Sequence, residues 1–285
     1  MARRAFLPVL ILAALPAVAV ADIDIGNLFN TLKTVKQAVK PADQQQEEEI
    51  GRAAAATLLG AAKPIDNPVV QHYVNWVGLW VALQSDRPDL NWHFAVVDSD
   101  DIDAFAAPGG YVFITRGLFA RMHSEAELAG VLGHEITHVV LKHHLKALQH
   151  AAQLDLAGQA AQYELQQSGH DSELLSKVAD ASRNLYSKGL DKDDEFDADR
   201  MGVVLAARAG YDPYGLMAVL QTLESVDPKS NRMQLLLATH PSPADRIAAL
   251  SAAMGGRMDK LGDLAEGVDR FQRNLARLAP GKTQR

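Results

Sequence analysis

The chain has 285 residues, 48% of them hydrophobic and 22% charged, with 28 basic and 35 acidic side chains and no Cys. That composition fits a globular protein and excludes collagen, a disordered acidic tail and a polytopic membrane protein. The net charge of -7 argues against a general nucleic-acid binder, which needs a clustered positive field, and the lack of Cys excludes disulfides, thiol nucleophiles, Cys-ligated metals and a Cys-linked lipid.

At the N-terminus, Arg3 and Arg4 precede an apolar run, Phe6 to Val20, interrupted by Pro8 and Pro16. Ala19-Val20-Ala21 has the small-residue form of a cleavage site. Residues 1–21 therefore read as a secretory signal peptide. The run is shorter than the roughly 20 apolar residues of a spanning helix. The Arg pair also has a twin-arginine form, but Sec export is the expectation. Export places the protein in the bacterial periplasm, with secretion as the lesser choice.

Residues 22–49 are polar and read as a lead-in to one domain over 50–285. A helix is expected to start near Gln44 and run to Ala62, with Pro64 and Pro68 as breakers. The apolar spacing of 69–84 predicts a buried helix. Trp92–Val97 reads as a strand, Asp98–Asp103 as a turn, and Ala104–Ala106 as a short extended piece. Pro108-Gly109-Gly110 is a tight turn before a strand at Tyr111–Ile114. These pieces predict a small, largely antiparallel sheet inside an otherwise helical α+β fold. Ser124 and Glu127 have capping-box spacing and open a long helix expected to reach about Gln149. Residues 150–190 read either as a mobile lid or as a helical hairpin. Asp191 caps a helix to about Arg208, which Gly210 ends. Pro213 starts another helix, and 258–285 reads as a last helix with a frayed end.

The long helix contains His134-Glu135-Ile136-Thr137-His138. Residues four apart share one helix face, so both imidazoles can reach one zinc ion. Glu135, beside the first ligand, can take the proton of an attacking water. His144 lies six residues past His138 on what reads as a continuing helix, on a different face. The next helix carries Glu195 and Asp199, again four apart. Glu195 can supply the third ligand, and Asp199 can orient a ligating imidazole through its other nitrogen.

These motifs resemble the HtpX/CAAX-prenyl-protease family of zinc metallopeptidases. Further stretches carry the resemblance: Ala104-Phe105-Ala106-Ala107-Pro108-Gly109-Gly110-Tyr111, Thr115-x-Gly117-Leu118, Arg200-Met201-Gly202, Gly210-Tyr211-Asp212-Pro213, and Thr239-His240-Pro241-Ser242-Pro243 with Arg246. Together they cover roughly 50–253. The chain is most similar to the soluble periplasmic branch, the BepA-like and Oma-like proteins. No stretch resembles the membrane helices of other branches or the tetratricopeptide domain of BepA, so docking of the BepA type is not expected.

The resemblance implies a zincin-like, gluzincin fold holding one Zn2+ per chain on His134, His138 and Glu195, with Glu135 as general base. It implies that Ala104, Phe105, Ala106 and Ala107 form an edge strand pairing with extended, unfolded polypeptide. Arg246 is either an oxyanion stabiliser or a salt-bridge partner. His240 is either a switchable fourth zinc ligand, or a residue that supports the transition state or packs against Pro241. The function implied is a periplasmic zinc endopeptidase of envelope protein quality control. The alternative is a latent-site chaperone or assembly factor holding unfolded outer-membrane proteins as clients.

Overall fold

A computed structural model describes residues 44–160, 170–261 and 264–278. The expected signal peptide and most of the lead-in lie outside these residues. In chain order the elements are α1 (Gln44–Ala61), α2 (Pro68–Ala82), β1 (His93–Val97), β2 (Ala104–Ala107), β3 (Tyr111–Thr115), α3 (Arg116–Phe119), α4 (Glu125–Val140), α5 (His143–Ala160), α6 (His170–Lys188), α7 (Lys192–Arg208), α8 (Gly215–Glu224), α9 (Gln234–Thr239), α10 (Pro243–Met254) and α11 (Val268–Leu275). None of the described helices is long and apolar enough to cross a membrane.

The α+β class with a small sheet holds, and its pairing is mixed. The strand order is β1-β3-β2. The turn at Gly109 and Gly110, both at positive φ, folds β3 back antiparallel on β2, with Ala106 opposite Val112. Residues 98–103 carry the chain across, so β1 pairs with the far side of β3 and runs parallel to it. Local alternation marks strands but does not encode that crossover. β2 is left as an edge.

Helix α4 is the axis of the molecule. Ser124 accepts the Glu127 N–H at 3.1 Å. The Glu127 carboxylate takes the N–H of His123, so only half of the expected capping box forms. Every residue from Glu125 to Val139 is buried, as fits a helix packed on all sides. Leu128, Leu132 and Ile136 fill the core with residues of α2, α7 and α8. Its buried polar groups are tied down. Glu125 accepts from Tyr73 at 2.9 Å and Tyr211 at 2.8 Å and pairs with Arg270.

Two expectations are corrected. The helix after Ser124 does not run to Gln149: it ends at Val140, and α5 starts at His143. Lys142 makes the break in the left-handed region, at φ 61. That conformation is costly for a side-chain-bearing residue. It is held in place by the Lys142 ammonium on buried Glu47 of α1 at 2.9 Å. The helix over 69–84 is only half buried. Val70, Tyr73, Val74, Val77 and Val81 enter the core, while Leu79, Trp80 and Leu83 stay exposed.

Candidate active site

Helices α4 and α7 cross with almost no spacer. A Cβ on Gly133 would sit 2.7 Å from the carbonyl oxygen of Gly202, and one on Gly202 would sit 2.7 Å from the His134 nitrogen. Only glycine at both positions permits this approach. It brings Glu195 and Asp199, one turn apart on α7, onto the face of α4 that carries His134 and His138.

The metal-capable atoms converge there. Donor atoms of His134, His138 and Glu195 all lie within 4.8 Å of one another. The two Nε2 atoms are 3.1 Å apart. The Glu195 oxygens stand 3.6 Å from His134 Nε2 and 3.5 Å from His138 Nε2. Glu195 Oε2 is buried without a hydrogen-bond partner, a state that calls for an ion or water. Burial works against charge on Glu195, but His240, His134 and Arg246 overcome it and hold the carboxyl down at about 2. His134 shows the reciprocal effect. Burial and Arg246 oppose its charge, yet Asp199 and Glu195 push it up to about 9. The ionised Glu195 carboxylate thus faces both imidazoles with one oxygen left for a cation or water. Two imidazoles and a carboxylate with room for a further ligand match a hydrolytic zinc site.

Each of these two imidazoles has its own support. His134 Nδ1 meets Asp199 Oδ1 at 2.9 Å. Asp199 is held by Arg246, whose Nε and Nη2 donate at 2.9 and 2.5 Å. Arg246 keeps the Asp199 carboxyl low against the cost of burial. His138 Nδ1 meets His143 Nδ1 at 3.0 Å, and His143 Nε2 lies 3.4 Å from Asp194. This second chain of contacts is a correction. The Lys142 turn swings both His143 and His144 back toward His138, with ring centres 5.1 Å away in each case. No Gly marks that turn in the sequence, so helical phase placed His144 on a different face. Burial keeps His144 neutral, down at about 3, and holds His138 well below its ordinary range.

Glu135 and His240 complete the pocket, together with His134 forming a second group of potential ligands. Burial pushes the Glu135 carboxyl up to about 7. His240 Nε2 lies 3.5 Å from Glu195, its Nδ1 meets Thr239 Oγ1 at 2.9 Å, and burial keeps it neutral, at about 4. A cleft of about 350 Å³ opens beside these groups, with Ala104 and Phe105 on one wall and Leu185, Tyr186 and Leu190 on the other. The structure thus places β2 along the cleft.

Two residues here had no sequence signal. Asp103 is buried at the start of β2 and accepts the Ala104 N–H at 3.0 Å. Burial and the nearby Glu135 hold its carboxyl well above the ordinary range. Tyr186 of α6 donates its hydroxyl to the Ala106 carbonyl at 2.7 Å and stacks on His144.

Comparison with known proteins agrees with this geometry. Residues 68–254 match peptidase family M48. The chain is 30% identical over 209 residues to the beta-barrel assembly-enhancing protease of Escherichia coli, an overlap of 71% of this chain and 42% of that protein. It is 32% identical over 184 residues to the mitochondrial metalloendopeptidase OMA1 of Bos taurus, covering 57% of this chain and 32% of that one. It is 27% identical over 186 residues to the OMA1 metalloendopeptidase of Schizosaccharomyces pombe, covering 61% and 50%. The chain spans half or less of the length of these relatives.

Proposed function

This chain belongs to peptidase family M48, and from that premise we propose that it is a zinc-dependent endopeptidase cleaving unfolded or misfolded proteins in the bacterial periplasm. The observation that carries the reading is the convergence of His134, His138 and Glu195 around an unsatisfied buried carboxylate oxygen. When bound there, zinc would acidify a water and polarise the scissile carbonyl. Glu135 takes the proton of the attacking water and returns it to the departing amine. A carboxyl held at about 7 is matched to both transfers near neutrality. Asp199 fixes the tautomer of His134. Arg246, committed to Asp199, acts through that carboxylate.

Substrate adds to the free edge of β2 as an extended strand. Its N–H groups need the outward carbonyls of Ala104 and Ala106, the second of which Tyr186 now holds. Side chains of the substrate occupy the cleft beside Phe105. His240 is a switch: beside Glu195 it closes the pocket, and away from it the pocket admits water and substrate. A site closed in this way supports a second reading, a latent protein that holds unfolded outer-membrane proteins at β2. The signal peptide over 1–21 would place either activity in the periplasm, where the name of the Escherichia coli relative suggests outer-membrane protein clients.

The test is casein cleavage by wild type, Glu135→Gln and His240→Ala, with metal content measured in each. The peptidase reading expects zinc in all three. It expects cleavage by wild type, a loss of about 10²–10⁴-fold in Glu135→Gln, and faster cleavage in His240→Ala. Undiminished cleavage by Glu135→Gln would remove the base assignment. Silence of both wild type and His240→Ala, with zinc bound, would favour the holding function.

A further inference from the structure

Nine large hydrophobic side chains are exposed among the described residues, and five of them cluster on α2 and its C-terminal cap: Val69, Trp76, Leu79, Trp80 and Leu83. At 3.6 residues per turn they fall within an arc of about 100°, along a stripe of about 21 Å. The opposite face of α2 fills the core. Exposed His72 lies in the same arc, and the Trp80 indole donates to the Ala209 carbonyl at 2.8 Å; a clustered apolar stripe of this kind marks an interaction site rather than scattered exposure.

Arginines border the stripe, although the chain carries a net charge of -7. Helix α2 itself has no Asp, Glu, Lys or Arg. At its start, Asn67 donates to the backbone carbonyl of Arg277 at 2.6 Å, and the Arg277 side chain is exposed. At its middle, the Arg270 guanidinium lies 5.3 Å from the Trp76 ring centre. At its end, Arg208 reaches the Gln84 carbonyl at 3.5 Å. Arg273 is exposed on α11 between Arg270 and Arg277. Arg270 is paired with Glu125. Asp66 and Asp86 lie beyond the two ends of the stripe in the sequence, and exposed Asp269 stands beside Arg270 on α11.

We propose that the exposed face of α2, with its arginine margin, docks the protein on the anionic surface of a phospholipid membrane. The face is the convex side of one helix, which a planar surface can meet along its whole length. Apolar side chains enter the boundary between headgroups and acyl chains. Trp rings sit at headgroup level, and the Arg side chains meet lipid phosphates. The docked orientation adds a location to the protein and is independent of the chemistry in the cleft.

The test uses the purified chain with vesicles of phosphatidylcholine alone and of phosphatidylcholine with phosphatidylglycerol. Trp92 is buried, so a blue shift of tryptophan emission on binding reports Trp76 and Trp80. Binding is expected with the anionic vesicles, weaker in high salt and weaker on the neutral ones. The pairs Leu79→Ser/Leu83→Ser and Arg273→Glu/Arg277→Glu should each lower vesicle affinity by roughly tenfold or more. Thermal melting would confirm that both remain folded. Equal affinity of wild type and both variants would overturn the proposal, as would no binding at all. Self-association abolished by the Leu pair, without vesicle binding, would instead make the stripe an interface between copies.

Discussion

The floor of the cleft, built by α4 and α7, is buried and tied by several polar contacts, whereas among the described residues its cover is held mainly by the packing of Ala181, Leu185 and Tyr186, with few side-chain hydrogen bonds. On the floor, Gly133 and Gly202 lock two helices at backbone contact. Asp199, Arg246 and His134 form a buried network across α4, α7 and α10. The cover is the end of α6 together with the segment carrying His240. One Tyr186 hydroxyl holds it to β2, and one Thr239 hydroxyl orients His240. Under the proposed function, the difference separates what is fixed before chemistry from what moves to admit a chain. Metal ligands gain from a rigid surround, while elements that open are drawn from the weakly held parts of a fold.

Three substitutions can break that contrast. Asp199→Asn should have the largest effect. It leaves the Arg246 charge buried without a counter-charge, a loss of about 3–5 kcal/mol in stability. It also loosens His134, lowering metal affinity by roughly 10–100-fold. Denaturant unfolding and competition with a chelator would read the two effects separately. A variant of wild-type stability would mean that the network does not brace the floor.

Gly202→Ala should come next. Its added methyl meets the backbone of α4, which cannot yield as a side chain would. The expected cost is about 1–3 kcal/mol, with a fall in metal occupancy because Glu195 rides on the displaced helix. Full metal content in a destabilised variant would show that the ligands adjust independently of helix spacing.

Tyr186→Phe should be the mildest for stability, costing about 0.5–1.5 kcal/mol for one hydrogen bond. Its effect on cleavage should run the other way. Freeing the Ala106 carbonyl opens the edge to a substrate strand, so casein cleavage should rise severalfold. Burial keeps the Tyr186 hydroxyl protonated, hence a donor, across the working pH range. Cleavage reduced by this change would recast Tyr186 as a group that holds substrate rather than one that bars it.

Much of the floor could be read from the chain because its logic is local. A spacing of four places His134 with His138, and Glu195 with Asp199, whatever the rest of the protein does. Alternation and turn residues located the three strands for the same reason. The cover was not legible. Tyr186 lies 80 residues from the carbonyl it holds, in a stretch whose composition says only that it is helical. The exposed face of α2 was misread because its apolar residues surround the helix, and only the packed neighbours decide which side is covered.

By itself, then, the sequence determined which candidate ligands and candidate base share a helix face and which helices present them, since helical periodicity acts over one or two turns. Tertiary structure alone decided three things. It set the distance between the two ligand pairs, through glycine contact between separate helices. It returned His143 and His144 to the site, because Glu47 on α1 holds Lys142 in the left-handed region. It ran β1 parallel to β3 by a crossover. Each depends on contacts between residues far apart in the chain, whose energy appears only once the core has formed.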